Sequence, residues 1–299
     1  MKGLNNIGNT CYLNSALQML LLNSSFCNLI LNYNNGKSEI LNILSNFIIN
    51  YHMCKNHMCK NHMCKNHSCK ENNNKSITPD DIKNIIQNKY KMFNGNQQHD
   101  SNELICCLFD IINEEITNYY SPYHYNLYTI FGFNLESRIK CKLINCLDKS
   151  ITSNKELILN LNVKKNLEES FNDFFSKEVL SNQYTCNKCN IKSIASKRLN
   201  IKTYPNNLLI CLKRFNFINS CCNKINDQEQ IPLIIELSSN IYKLHGAIIH
   251  SGSYNGGHYI YVGLVENIWY LFNDNHVSEL RTNINDELLN SYLLYYKLI

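Results

Sequence analysis

The chain has 299 residues, 44% of them apolar and 18% charged, with a formal net charge of +5 and fifteen cysteines. That length and apolar content describe a folded globule able to bury a sizeable core, and they exclude a disordered chain despite the many asparagines. There is no dense Lys/Arg block, no apolar run near the roughly 20 residues of a membrane span and no secretory signal after Met1, which argues against nucleic acid and membrane as partners. Cysteines in such a chain read as reduced thiols and metal ligands, which suits a reducing compartment, the cytoplasm or the nucleus.

Near the start, Asn9 and Thr10 are cap-type residues ahead of Leu13, Ala16, Leu17, Leu20 and Leu21, apolar positions at helical spacing. The predicted helix carries Cys11 in its first turn, where unpaired backbone N–H groups and the macrodipole favour a thiolate. Gly3 and Gly8 allow the preceding loop to approach closely, and the Asn6 amide can face a developing oxyanion. Further on, His52-Met53-Cys54-Lys55-Asn56 recurs from His57 and His62 and fades at His67-Ser68-Cys69-Lys70, ahead of Asn72-Asn73-Asn74. A five-residue period fits neither helix nor strand. Residues 52–74 therefore read as a low-complexity insert in a surface loop, with a soft-metal site as the alternative.

Thr78-Pro79-Asp80-Asp81 predicts a helix start, and Asp100 with Glu103 predicts a capped helix carrying Leu104, Cys107, Leu108, Ile111 and Ile112 on one stripe. From about Thr129 the pattern becomes β-rich. Cys141 and Cys146, then Cys186 and Cys189, form two close pairs, and four thiolates suit a tetrahedral Zn²⁺ joining two hairpins. Residues 208–212 read as a buried strand, and further strands are predicted over 242–249, 259–262 and 268–272. His258 starts one of them after the turn at 253–257, and Asn273 and Asp274 end another. The order Cys, His, Asn/Asp reads as a papain-like constellation.

Several of these segments together resemble one family. Gly3 through Leu20 is similar to the cysteine box of the ubiquitin-specific proteases, which are deubiquitinating enzymes. Gln98-His99-Asp100-Ser101-Asn102-Glu103-Leu104 matches a second element of that family, and Leu212-Lys213-Arg214-Phe215 a third. His250-Ser251-Gly252 through Gly257-His258-Tyr259 and Trp269-Tyr270-Leu271-Phe272-Asn273-Asp274 match two more, in the family's order and across almost the whole chain.

The resemblance implies an α+β, papain-like cysteine peptidase fold shaped like a hand, one catalytic domain over residues 1–299. A helical thumb occupies about 1–128, and a β-rich palm with zinc-stapled fingers occupies about 129–299. It implies thiol-dependent hydrolysis at the C-terminal Gly of ubiquitin, with Cys11 as nucleophile, His258 as base, Asn273 orienting the imidazole and Asp274 as an auxiliary group. Asn6 and the Cys11 N–H would bind the oxyanion, and Gln98 would lie beside the site.

A structural zinc on Cys141, Cys146, Cys186 and Cys189 is implied, although four residues separate the first pair and Leu143 stands where family members place a ligand. No catalytic cofactor is implied. The implied partners are ubiquitin and ubiquitinated proteins. A ubiquitin-like modifier as substrate, or a catalytically weak ubiquitin-binding module, remain as alternatives. With Cys11 so near Met1, the expectation is a bare catalytic domain with no separate N-terminal targeting module.

Overall fold

The computed structural model describes residues 1–33, 36–52, 76–119, 125–143, 146, 149–218, 221–225, 230–253 and 256–299. The low-complexity repeat lies outside the described residues except for His52, as do Tyr254 and Asn255 of the turn before His258. Helices among the described residues are α1 (Cys11–Leu21), α2 (Ser24–Asn32), α3 (Glu39–His52), α4 (Asp80–Lys89), α5 (Ser101–Tyr119), α6 (Leu127–Ile130), α7 (Leu167–Phe175) and α8 (Ile284–Leu288). Strands β1 (Phe133–Cys141), β2 (Lys149–Glu156), β3 (Ile158–Asn162), β4 (Glu178–Thr185), β5 (Lys192–Thr203), β6 (Asn207–Lys213) and β7 (Phe215–Ile218) follow. The later strands are β8 (Cys221–Lys224), β9 (Ile234–Leu237), β10 (Asn240–Ser253), β11 (Gly256–Val265), β12 (Ile268–Asn273), β13 (His276–Glu279) and β14 (Ser291–Leu298). No described helix is long and apolar enough to cross a membrane.

Local chemistry explains the helix starts. Asn23 accepts the Phe26 N–H at 2.9 Å ahead of α2, Asn166 accepts the Glu169 N–H at 2.8 Å ahead of α7, and Pro79 precedes α4. Asp100 accepts the Glu103 N–H at 2.9 Å, so α5 begins where its cap signal lies. All eleven residues of α1 are buried, because this helix is flanked by α5 and by β10 and β11. A helix enclosed on every side gives whatever stands at its first turn a fixed position.

The large sheet runs β13-β12-β11-β10-β14-β6-β3, and β9 adds to β10. Its pairings are antiparallel except β3 with β6. One core lies between the helices and one sheet face; a second, with Leu208, Ile210, Leu212, Leu294 and Tyr296, lies on the other face beneath α7. The last strand, β14, sits in the middle of the sheet, which no sequence motif announced. Its first six residues are buried, and Tyr296 donates to the Pro232 carbonyl at 2.6 Å.

A separate four-stranded sheet has the order β2-β1-β5-β4. Cys141 closes β1, and Cys186 and Cys189 lie in the turn joining β4 to β5, so the two cysteine pairs meet at one end of the sheet. The mixed helix-and-sheet fold agrees with the α+β class expected.

Candidate active site

Cys11 is the first residue of α1, and its thiol lies against the main-chain N–H of Tyr259, the residue after His258. Thr10, the N-cap residue, makes no side-chain bond to the helix; its Oγ1 instead accepts the Ile7 N–H at 2.9 Å. The first-turn amides are thus left without a side-chain cap, and those of Cys11 and Tyr12 favour a thiolate. Burial is the larger effect and pushes the Cys11 thiol up, with the Asp274 carboxylate acting in the same direction. The resting group is therefore a thiol, and turning it into a nucleophile requires a base.

The His258 ring meets Asn273 on the neighbouring strand, Nε2 donating to Asn273 Oδ1 at 2.7 Å. That bond fixes the Nε2–H tautomer and leaves Nδ1 with its lone pair. β12 ends at Asn273, and Asp274 turns away with φ 50. Its carboxylate points to the helical side, where Oδ2 accepts from Asn6 Nδ2 at 2.9 Å and Oδ1 from Asn14 Nδ2 at 2.7 Å. The Asp274 carbonyl also accepts the Leu4 N–H at 2.8 Å. A Cβ on Gly3 would stand 2.3 Å from the Asn275 carbonyl oxygen, so only glycine lets these two segments lie so close. Neighbouring residues thus divide their work: Asn273 serves the histidine and Asp274 ties the cysteine loop to the sheet.

Asn6 is held from both ends. Its Oδ1 accepts from the N–H groups of Gly8 and Thr10, each at 3.1 Å, while its amide faces Asp274. Gln98 reaches the strand that bears His258: its Oε1 accepts the Gly257 N–H at 2.7 Å and its Nε2 donates to the Gly257 carbonyl. His250 is buried, with its ring 4.4 Å from that of Tyr259; burial and then the Lys224 charge lower its pKa to about 4, which makes it a neutral packing group. His276 is exposed in β13.

Asn14 was not among the residues expected at the site. It sits three residues after Cys11 in α1, where Asn14, Ser15 and Gln18 are polar residues buried in a largely apolar helix, and that was the available signal. Lys224 was likewise unforeseen; its Nζ donates to the carbonyls of His250 at 2.8 Å and Gly252 at 3.1 Å, bracing the end of β10.

At one end of the four-stranded sheet, Cys141, Cys146, Cys186 and Cys189 place their sulfurs within 4.8 Å of one another, with Cys146 and Cys186 at 3.6 Å. Ser193 beside Cys141, with the Leu143 amide, lowers that thiol to about 7. A tetrahedron with Zn–S bonds of about 2.3 Å sets its sulfurs about 3.8 Å apart, so the donor set and spacing fit a zinc ion.

A family model described as ubiquitin carboxyl-terminal hydrolase matches residues 2–296. The chain is 26% identical over 314 residues to the probable ubiquitin carboxyl-terminal hydrolase 8 of Schizosaccharomyces pombe, covering 99% of this chain and 64% of that protein. It is 27% identical over 317 residues to ubiquitin carboxyl-terminal hydrolase 42 of Homo sapiens, covering 98% of this chain but 22% of that protein. Among solved structures, the SAGA Ubp8/Sgf11/Sus1/Sgf73 DUB module bound to ubiquitin aldehyde contains a similar chain, with TM-score 0.77 and 25% identity, over 100% of this chain and 70% of that one.

Proposed function

Since the chain belongs to the ubiquitin carboxyl-terminal hydrolase family, we propose that it is a cysteine-type deubiquitinase, a single catalytic domain that hydrolyses isopeptide or peptide bonds at the C-terminal Gly of ubiquitin. The observation that carries this reading is the convergence of Cys11, at an uncapped helix N-terminus, with a His258–Asn273 pair on the adjoining strands.

His258 Nδ1 takes the Cys11 proton as the sulfur attacks the terminal Gly carbonyl. Asn6 and the Cys11 N–H stabilise the tetrahedral oxyanion, each such donor being worth about 10²–10³ in rate. The protonated His258 then gives its proton to the leaving lysine amine, and a thioester remains. Water activated by the same imidazole cleaves the thioester, restoring the thiol and releasing the ubiquitin carboxylate. Asn273 holds the ring tautomer throughout. Asp274 acts through Asn6, and Asn14 keeps Asp274 in place.

Cys141, Cys146, Cys186 and Cys189 would hold a zinc ion whose contribution is to tie two hairpins together, and the chemistry needs no further cofactor. The reduced state of these thiols suits the cytoplasm or the nucleus, and ubiquitin with its conjugates is the partner this reading names. The test is a panel of ubiquitin and ubiquitin-like proteins bearing C-terminal electrophiles. Labelling of the native chain by the ubiquitin probe, lost in Cys11→Ala, is the expected result; labelling at another cysteine, or by none of the probes, overturns it.

A further inference from the structure

The net charge of +5 conceals a segregation that only the fold reveals. Residues 133–156 and 177–203, which build the four-stranded sheet and its turns, carry eleven Lys/Arg against four Asp/Glu. That excess of seven exceeds the excess of the whole chain, so the remainder is net acidic. The strand register sorts these charges further, because directly paired residues share a face and residues two apart along a strand return to it. Arg138 pairs with Ile151 on β2 and with Arg198 on β5; Lys140 pairs with Lys149 and with Ser196. Lys155, paired with Asn134, lies on this same face, as do Lys192 and Lys202 by alternation along β5. Glu136 is the single carboxylate there among the described residues, and Arg138 and Lys202 already pair with it.

Arg138 directly opposite Arg198, and Lys140 directly opposite Lys149, are arrangements that cost stability, since like charges across a strand pair repel. Nearby, the Lys142 side chain, through its contact and then its charge, lowers the Lys177 pKa, with the Lys140 charge adding a smaller effect. A sheet tolerating this repulsion on an exposed face is built to receive negative charge. We propose that the outer face of the four-stranded sheet, centred on Arg138, Lys140, Lys149 and Arg198, binds the phosphate backbone of a nucleic acid duplex.

A duplex fits better than an acidic polypeptide for two reasons. The cations are spread over three adjacent strands rather than gathered round a pocket, and the apolar side chains among them, Ile151, Val179 and Ile194, are separate aliphatic groups without the aromatic anchors of protein interfaces. The same lack of aromatic side chains points to backbone contact without base stacking. This inference stands apart from the hydrolase reading. It depends on charge and register alone.

The experiment is fluorescence anisotropy of a short labelled DNA duplex with the full chain, titrated at several salt concentrations. Each phosphate contact contributes about 0.9 to the slope of log affinity against log salt, so the quadruple variant R138Q/K140Q/K149Q/R198Q should lose about 3.6 from that slope and bind at least roughly tenfold more weakly at about 50 mM salt. The paired variants R138Q/R198Q and K140Q/K149Q, each checked by thermal melting, should each lose about half of that. Failure of the native chain to bind duplex at low salt, or an unchanged slope in the folded paired variants, overturns the proposal. Competition by polyglutamate as effective as by unlabelled duplex overturns it too, in favour of an acidic protein.

Discussion

Around Cys11 the polar groups face inward and are shared. Asp274 holds two asparagines, Asn6 holds two backbone amides, and Gln98 holds both polar atoms of Gly257. Across the four-stranded sheet the charges face solvent, several directly oppose charges of the same sign, and the tightest polar cluster is four thiols at one end. The cleft takes its order from interlocked hydrogen bonds inside a packed body. The four-stranded sheet is ordered by its strand pairing, with a cluster of four thiols at one end. Damage in the first should appear as lost rate, and damage in the second as lost metal or lost association.

The comparison is sharpest at Cys11. Cys11→Ala should lower turnover of a fluorogenic ubiquitin amide by at least about 10⁴-fold while ubiquitin binding stays measurable, because no other group replaces the nucleophile. At the opposite end, Cys186→Ser should reduce zinc from one ion per chain to none by elemental analysis, since structural zinc sites in zinc-finger peptides are worth about 10–16 kcal/mol. Hydrolysis of a minimal ubiquitin substrate should survive that change within about tenfold. If it collapsed with the metal, the two regions would not be separable.

Within the cleft, Asn6→Ala should cost about 10²–10³ in kcat with ubiquitin affinity within about twofold. A fall in affinity with kcat intact would move Asn6 out of the oxyanion site. Asp274→Ala leaves the buried Asn14 amide short of an acceptor, so chemical denaturation should show about 1–3 kcal/mol lost, together with slower turnover. Alkaline stability is affected as well. Burial raises the Cys27 thiol to about 12 and pushes Cys11 up as well, whereas unfolded thiols ionise near about 8.5. The unfolded chain then releases protons that the folded chain keeps. Stability should be flat below about pH 8 and fall as pH rises towards these folded values, which denaturant midpoints across that range would measure.

Much of the cleft was legible because its pieces are local. The cap-type residues before Cys11, the helix signal at Asp80 and the strand runs around His258 and Asn273 each declare themselves within a few residues. What failed to show depends on pairing over long distances. Asn14 reads as an ordinary helix residue until Asp274, 260 positions away, is brought to it. The cations of that one face stand two or more residues apart on several strands, so along the chain they look dilute, and only the register collects them. The end of the chain, Tyr292-Leu293-Leu294-Tyr295-Tyr296, is a short apolar run that periodicity alone does not assign to strand or helix, and its central place follows from pairing with β10 and β6.

That central place of β14 has a kinetic consequence. The strand that bears His258 hangs from β10, and β10 joins β6 only through residues 291–298. A nascent chain still inside the ribosome therefore has its cysteine helix translated long before the platform for its imidazole can close. Activity should switch on only once residues 291–298 have joined the sheet, in a single late and slow event dominated by distant partners in the sequence.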